Sequence, residues 1–549
     1  MAKRYRPVNR DQEFLFPPSM RDWLPEDHPV WLVISVVEDH MDTSVFHAAR
    51  NTGGAGTAGY DPDMLVTVLV WGYAHQVTSS RDIERLCQTD VAFRVICGGN
   101  TPRHVTLSQF RAAFPQMIGM FFAEVLALCA QLGMGRLGVV ALDGMKIAAN
   151  ASASANRTEE KLARLAADTV ARHGQTDAAE DDLFGEGRRG DEVPGDAWRA
   201  SRRDERIAAA LASLRAGREA AGAERAAKQA QHLADAAAGT PRTGRPPAGA
   251  AVELAQMSVA RARAAQLARV DAWQARAAAG KRPRGPRPAS PDSYIRVRQA
   301  EARLEAARAA EAGRTAADKD HAEPVRNITD PDSRLMPVRG GGFIQGYNPQ
   351  NVTSEDGLII ATELTADTAD TPWFEPMLRK AEAAAAFITA RQPAAARKQA
   401  LRPGQGDASL IGLFLADAGY LSEHNLTTTG PDRLIATGKT RALEHAARDG
   451  TASVSWNSQS ITAMAARLAT DDGITAYRQR GHIAETPHGH IKHNMRFRQL
   501  SVRGKPKADA EWKFTCAVYN LFKAISTGHL TTQTLAGLQP RAACPPVPA

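Results

Sequence analysis

The sequence predicts an α/β protein in which a helical N-terminal region leads into a sheet that a long helical segment interrupts. Three observations carry that prediction. Apolar residues recur at helical spacing through the first 135 residues. Two short apolar runs, one reaching Asp143 and the other Asp417, read as buried strands that end on a carboxylate. From about Asn156 to Val325 the composition shifts to Ala, Arg and Glu, which favour long helices with interleaved charge.

Taken in order, "DPDMLVTVLVWGYAHQVTSSRDIERLCQTDVAFRVICGG" places apolar positions at helical spacing from Met64 to Tyr73 and again from Ile83 to Ile96, with Ser79 and Ser80 as the cap between them. A further long helix follows, interrupted at Pro115. Short helices joined by tight turns fit either a helix-turn-helix-like DNA-binding unit or a helical packing domain. "RLGVVALDGMKIAANAS" then reads as a buried strand. Within the Ala-rich segment, "GTPRTGRPPAGA" and "GKRPRGPRPASPD" break the helices, so paired antiparallel helices with a basic loop near Lys281 to Arg287 are expected. Phe343 to Val352 and Leu358 to Thr365 flank the turn "SEDG" as a hairpin. "PWFEPMLRKAEAAAAFITARQ" is an amphipathic helix, Leu410 to Leu415 a buried strand, "DRLIATGK" another, and Tyr477 to Leu500 helix-like. The expected divisions are 1–135, helical; 136–155, the start of the core; 156–325, the helical insertion; 326–530, the rest of the core; and 531–549, a frayed Pro-rich tail.

Bulk properties narrow the class. A chain of 549 residues is too long for one ordinary core, and 43% hydrophobic with 23% charged residues is a globular composition. No apolar run is long enough to span a bilayer, and "MAKRYRPVNRDQEF" lacks the apolar segment of a secretory signal. Cys87, Cys97, Cys129, Cys516 and Cys544 lie far apart with no CxxC pair, which points to reduced thiols and a cytoplasmic protein. The net charge of +8 favours a polyanionic partner only weakly.

Local clustering says more. "YRQRGHIAETPHGHIKHNMRFRQL" sets one acid, Glu485, among Arg478, Arg480, Lys492, Arg496, Arg498 and four histidines. The histidines His482, His488, His490 and His493 lack the second ligand pair that a zinc site needs. Asp143 and Asp417, at the ends of buried strands, must be hydrogen-bonded, paired or bound to a cation. Three converging carboxylates favour Mg²⁺ or Mn²⁺, and two such ions about 4 Å apart support in-line displacement at phosphorus. The basic residues beside Glu485 suit a phosphodiester backbone.

These motifs together resemble the bacterial insertion-sequence DDE transposases, in the branch that carries a Tyr-Arg-Glu-Lys signature. "ALDGMKIAANAS" is similar to the segment around that family's first aspartate, and "FLADAGYLSEHN" to the segment around its second. "NITDPDSRLM" and "FIQGYNPQ" resemble the block after its insertion. Tyr477, Arg480, Glu485 and Lys492 fall in the order of the signature, and the later "AEW" and "YNL" match in character. After Glu485 the family places proline at once and an aromatic two residues later, where this chain has Thr486, Pro487 and His488; Arg103 replaces a common acid.

The resemblance implies a ribonuclease-H-like mixed-sheet core, with an N-terminal helical DNA-binding domain and a helical insertion after the first core strand. It implies Asp143, Asp417 and Glu485 as catalytic residues and ligands of two Mg²⁺ (or Mn²⁺) ions, with Tyr477, Arg480 and Lys492 on the DNA, where Arg496 and Arg498 of the same basic cluster are expected to join them. The implied partners are double-stranded DNA, as terminal inverted repeats and target, and a second copy of the chain as a homodimer on DNA. The implied activity is metal-dependent strand cleavage and 3′-hydroxyl strand transfer. A non-catalytic, domesticated DNA-binding protein acting as a repressor, and a host nuclease on the same core, are the alternatives.

Overall fold

The structure is a computed structural model that describes residues 19–48, 59–113, 115–169, 171, 195–239, 247, 249–280, 285–317, 323–338, 340–400, 409–438 and 458–538. The chain forms two compact units, one of residues 1–155 with 329–549 and the other of residues 156–328.

The first unit opens with helices α1 (Pro29–Ser35), α2 (Ser44–Ala48), α3 (Pro62–Ala74), α4 (Ser80–Thr89), α5 (Val91–Ile96), α6 (His104–Ala113) and α7 (Pro115–Gln131). Asp61 caps α3 by accepting from the Asp63 N–H at 2.7 Å, and Pro62 sits in the first turn, where no donor is needed. Residues Leu65 to Tyr73 are buried around the whole helix, so α3 runs through the core. The apolar spacing from Ile83 to Ile96 is split between α4 and α5, because Asp90 adopts extended backbone and its carboxylate accepts from Phe93 N at 3.1 Å. Ser79 occupies the N-cap position of α4 without a side-chain capping bond, and the Ser80 hydroxyl accepts from Arg111 instead. No single helix is long and apolar enough to cross a membrane.

The strands among the described residues are β1 (Val139–Gly144), β2 (Ile147–Ala148), β3 (Asn156–Thr158), β4 (Val325–Asn327), β5 (Arg334–Pro337), β6 (Phe343–Ser354), β7 (Ile359–Thr365), β8 (Leu413–Ala416) and β9 (Asp432–Ile435). The main sheet runs β2-β6-β1-β8-β9, with β5 and β7 also paired to β6. Pairs β1–β8 and β8–β9 are parallel, whereas β6 is antiparallel to β1, β2, β5 and β7. The fold is thus mostly helical α/β with a mixed sheet. The β6–β7 hairpin turns at the expected "SEDG", where Gly357 takes φ 83° and Leu358 N donates to Ser354 Oγ at 3.1 Å.

Side-chain alternation gives the sheet two apolar faces. Val140, Leu142 and Phe414 point into the large core with α3, α7 and the helix Phe374–Arg391. Val139, Ala141, Leu413, Leu415 and Leu434 point the other way, onto Leu468, Tyr477, Ile483 and Ala484. The long C-terminal helix Lys505–Ser526 lies in the large core, with Trp512, Cys516 and Leu521 fully buried. Asn520 on this helix accepts from Ile359 N at 2.9 Å and donates to Ile359 O at 2.8 Å, satisfying the backbone of β7 on its unpaired side. Thr532–Ala536, expected to begin a frayed tail, is a short helix capped by Thr531 with Leu535 buried. Residues 539–549 lie outside the described residues.

The second unit pairs β3 with β4 and contains a helix at residues 159–169 together with long helices Gly195–Ala237, Ala250–Ala278 and Ile295–Ala317. Leu162, Ile207, Ala210 and Leu214 form a small core beneath Ile328. Residues 281–284 of the predicted basic loop lie outside the described residues.

Candidate active site

The strand registry builds the site. In the parallel β1–β8 pair, Leu142 stands opposite Ala416, so Asp143 and Asp417 follow at neighbouring positions on adjacent strand ends. Asp143 has the same parity as Val139 and Ala141, and Asp417 the same as Leu413 and Leu415. Both carboxylates therefore belong to the face covered by Tyr477, Ile483 and Ala484.

Glu485 is brought to that face by an irregular helix. Asp471–Arg480 is α-helical, Gly481–Glu485 forms a π turn, Thr486–Gly489 returns to α, and His490–Asn494 is again π. Pro487 has no N–H to donate to Ile483, and the first widened turn lies immediately before it. Arg480 is the link: its Nη1 lies 3.7 Å from Asp143 Oδ2, and its Nη2 donates to Glu485 Oε1 at 3.2 Å. Buried His488 adds its Nδ1 at 3.7 Å from Asp143 Oδ2. Asp143 is 16% exposed and Glu485 63%, so one acid is enclosed and the other faces solvent.

The two aspartates differ in their electrostatics. Burial alone would raise the Asp143 pKa, but His488, Arg480 and the Gly144 N–H outweigh it and hold the carboxyl below its ordinary value. Asp417 is pushed up, first by burial and then by the charge of Asp143. Burial works against the Arg480 charge, yet Tyr477, Asp143, Asp417 and Glu485 prevail and raise its pKa. All-oxygen donors in mutual repulsion fit a hard divalent cation. The three carboxylates are nonetheless more widely spread than a closed ligand set. Among the described residues, the one group of three candidate ligand atoms within 4.8 Å of one another is His47, Asp61 and Asp63 in the N-terminal helices.

The basic and aromatic residues of the signature take different places. Tyr477 is buried, its hydroxyl donates to Ala416 O at 3.3 Å, and burial with the nearby acids pushes its pKa up to about 12 despite Arg480. Tyr477 thus packs beneath the Asp417 strand end. Lys492 is partly buried, which lowers its pKa against the opposing charge of Asp143. Arg496, at φ 50°, and Arg498 are exposed, and Arg498 Nε donates to Lys492 O at 3.3 Å. His490 packs edge-on against Tyr519 at 5.3 Å, and His482 and His493 are exposed.

A fourth acid was not singled out from the sequence. Asp370 Oδ1 accepts from Asn348 Nδ2 at 2.7 Å and Gln350 Nε2 at 2.9 Å, and Lys146 Nζ stands 3.6 Å away. Tyr420 donates to Gln350 Oε1, extending the network beneath the Asp417 loop. A Cβ on Gly419 would lie 3.0 Å from Asp417 Oδ1 and 3.4 Å from Asp370 Oδ2, and one on Gly144 would lie 2.6 Å from Gln350 Nε2. The glycines after Asp143 and near Asp417 therefore keep this corner open. The available signal was "ADTADTPW", an acidic loop directly after a buried strand, which is easily taken for the approach to a helix.

Two stretches of the chain match known families. Residues 18–113, spanning α1 to α6, match the family described as "Transposase domain (DUF772)". Residues 440–525, which contain Tyr477, Arg480, Glu485, Lys492 and Trp512, match "Transposase DDE domain". No curated protein and no solved structure matches the chain.

Proposed function

Starting from a transposase with a DDE catalytic domain, we propose that Asp143, Asp417 and Glu485 are its catalytic carboxylates and the ligands of two Mg²⁺ or Mn²⁺ ions. The reaction is cleavage at the ends of the chain's own insertion sequence, followed by transfer of the freed 3′-hydroxyl to target DNA. The observation that carries this reading is Arg480, which touches both Asp143 and Glu485 while the β1–β8 register sets Asp417 beside Asp143. Support for a ribonuclease-H-like core comes from the same sheet, in which β1 is parallel to β8 and antiparallel to β6. The order Tyr477, Arg480, Glu485, Lys492 supports the branch with the Tyr-Arg-Glu-Lys signature.

When bound, the ions would supply a nucleophilic oxygen at neutral pH and stabilise charge on the leaving oxygen. The chain's own residues do the rest. Arg480 and His488 keep Asp143 ionised, and Tyr477 fixes the helix against the Asp417 strand end through Ala416 O. Arg480, Lys492, Arg496 and Arg498 provide positive charge for the DNA backbone around the one exposed acid. The N-terminal helices recognise the terminal inverted repeats, and two copies of the chain hold the two ends.

The test uses Asp143→Asn and Glu485→Gln proteins on duplexes bearing the element's ends. Nearly complete loss of Mg²⁺-dependent nicking with end binding retained is expected. Cleavage by either variant at the wild-type rate would rule the assignment out. Wild-type protein that binds the ends without any Mg²⁺- or Mn²⁺-dependent nicking would select the repressor reading.

A further inference from the structure

We propose that the inserted helical unit carries a separate, sequence-independent site for the phosphate backbone of duplex DNA, in the groove between helices Ala250–Ala278 and Ile295–Ala317. The identity of this partner rests on the transposase reading. The groove itself does not involve the carboxylate site.

Charge is the first argument. Residues 242–298 hold twelve Lys and Arg against three Asp and Glu, a net of +9, whereas the whole chain nets +8. The positive charge of the protein is therefore concentrated in this segment, and the remainder is close to neutral. Such a segregated excess costs stability through self-repulsion unless a polyanion neutralises it.

Geometry is the second. The groove has a volume of about 400 Å³ and is walled by Arg261 and Arg269 from one helix and Arg296 and Arg303 from the other. Ala262, Ala265 and Ala300 leave its floor shallow, and none of its lining residues is a carboxylate. Arg261 donates to Ala236 O at 2.6 Å and Arg269 to the Tyr294 hydroxyl at 3.1 Å, neutral partners that orient the guanidinium groups without cancelling their charge. Arg263 makes the contrast. It lies outside the groove and is neutralised by Glu301 at 2.6 Å and Asp292 at 3.2 Å. Along an α-helix, Arg261 to Arg269 spans about 12 Å and Arg296 to Arg303 about 10 Å. Three nucleotides of one DNA strand advance about 10 Å along the duplex axis, a spacing close to that of each arginine pair along its helix.

Chemistry selects the partner. Apart from Tyr294, whose hydroxyl is held by Arg269, the groove is lined by alanine methyls and polar side chains, with no aliphatic anchor for a protein interface. Four guanidinium groups in a carboxylate-free channel bind phosphate oxygens bidentately whatever the base sequence.

The experiment measures binding of the full-length protein to a duplex that lacks the element's ends, by fluorescence anisotropy over a range of NaCl concentrations. Replacing all four arginines with glutamine should make the slope of log K against log salt less steep by about 3 to 4. The all-lysine variant, which keeps the charge, should retain most of the slope. Helicity by circular dichroism checks that the unit stays folded. The exposed single reversals Arg296→Glu and Arg303→Glu repeat the test with little demand on packing, each lowering the slope by about 1 or more. An unchanged slope in folded variants overturns the proposal. Mg²⁺-dependent nicking of end-bearing DNA is followed in parallel. A wild type that never nicks counts against the catalytic reading alone, and one that nicks normally while the slope ignores these arginines counts against the groove alone.

Discussion

Replacing Arg480 with glutamine separates a structural arginine from one that stands in for a cation. Arg480 and Asp143 are each only 16% exposed and approach to 3.7 Å, so at an effective dielectric constant near 20 their attraction is about 4 to 5 kcal/mol. The contact with Glu485 adds little, about 0 to 1 kcal/mol, because that carboxylate is 63% exposed and screened by water. Removing one partner of a buried pair typically costs about 3 to 5 kcal/mol, since the other charge stays buried and uncompensated. His488, also 3.7 Å from Asp143, softens the loss, so about 2 to 4 kcal/mol is expected here. The deficit should be largest without metal and shrink when a divalent cation supplies the missing charge. Thermal unfolding of wild type, Arg480→Gln and Arg480→Lys would be compared in EDTA and in a Mg²⁺ series. Arg480→Gln should melt lower in EDTA and gain more from Mg²⁺ than wild type does, while Arg480→Lys should lie between. Equal melting in EDTA, or an equal gain from Mg²⁺, would refute the reasoning.

Other outcomes follow from particular contacts. Asp370→Asn keeps an oxygen for Asn348 and Gln350 but loses the charge beside Asp417, so folding should be preserved while the Mg²⁺ needed for half-maximal nicking rises by about 10-fold or more; an unchanged Mg²⁺ requirement would show Asp370 to be structural. Asn520→Ala leaves both backbone groups of Ile359 unsatisfied in the core and should cost about 2 to 4 kcal/mol by urea denaturation, with a loss under 1 kcal/mol speaking against it. Arg467 binds Asp432 through two hydrogen bonds and holds its pKa below the ordinary value, chiefly by the side-chain hydrogen bond. A depressed carboxylate stabilises the fold above its unfolded pKa, and that stabilisation disappears as pH falls through the folded pKa. Asp432→Asn should therefore lower stability by at most about 1 kcal/mol at pH 7, the pair being half exposed, with the difference vanishing once the pH has fallen below the folded-state pKa of Asp432. A difference that persisted there would assign the effect to packing.

Strands β1, β8 and β9, the β6–β7 hairpin and the insertion were legible because each has a local cause, whereas the short strands β2 to β5 carry no such signal. Val139 to Leu142 and Leu413 to Ala416 are apolar runs that each follow a glycine and end on an aspartate, and the hairpin is announced by a glycine at a position needing positive φ. The split at Asp90 was hidden because apolar spacing continues across it, and only the competing carboxylate breaks the helix. The Thr531 cap was hidden behind the prolines that follow it. Asp370 was hidden for a different reason. Its partners Asn348 and Gln350 lie on β6, and nothing in a linear sequence says that a loop after β7 folds over that strand.

The arrangement of the three acids turns on parity. A strand exposes alternate residues to opposite faces, so a shift of one residue in the β1–β8 pairing would turn one aspartate into the large core. The parity was readable, since each aspartate stands two residues beyond an apolar position. The face was not, because it is fixed by the distant helix that carries Tyr477, Ile483 and Ala484. That helix is held by apolar burial, yet the residues between its buried positions include Arg480 and Glu485. Packing and chemistry are therefore set by the same register. The π turn at Gly481–Glu485 adds one residue to a turn and so rotates Glu485 relative to Tyr477, away from where an unbroken α-helix would aim it. A lone acid within a basic segment is thus placed by two features that composition cannot reveal, a strand register and a widened helical turn.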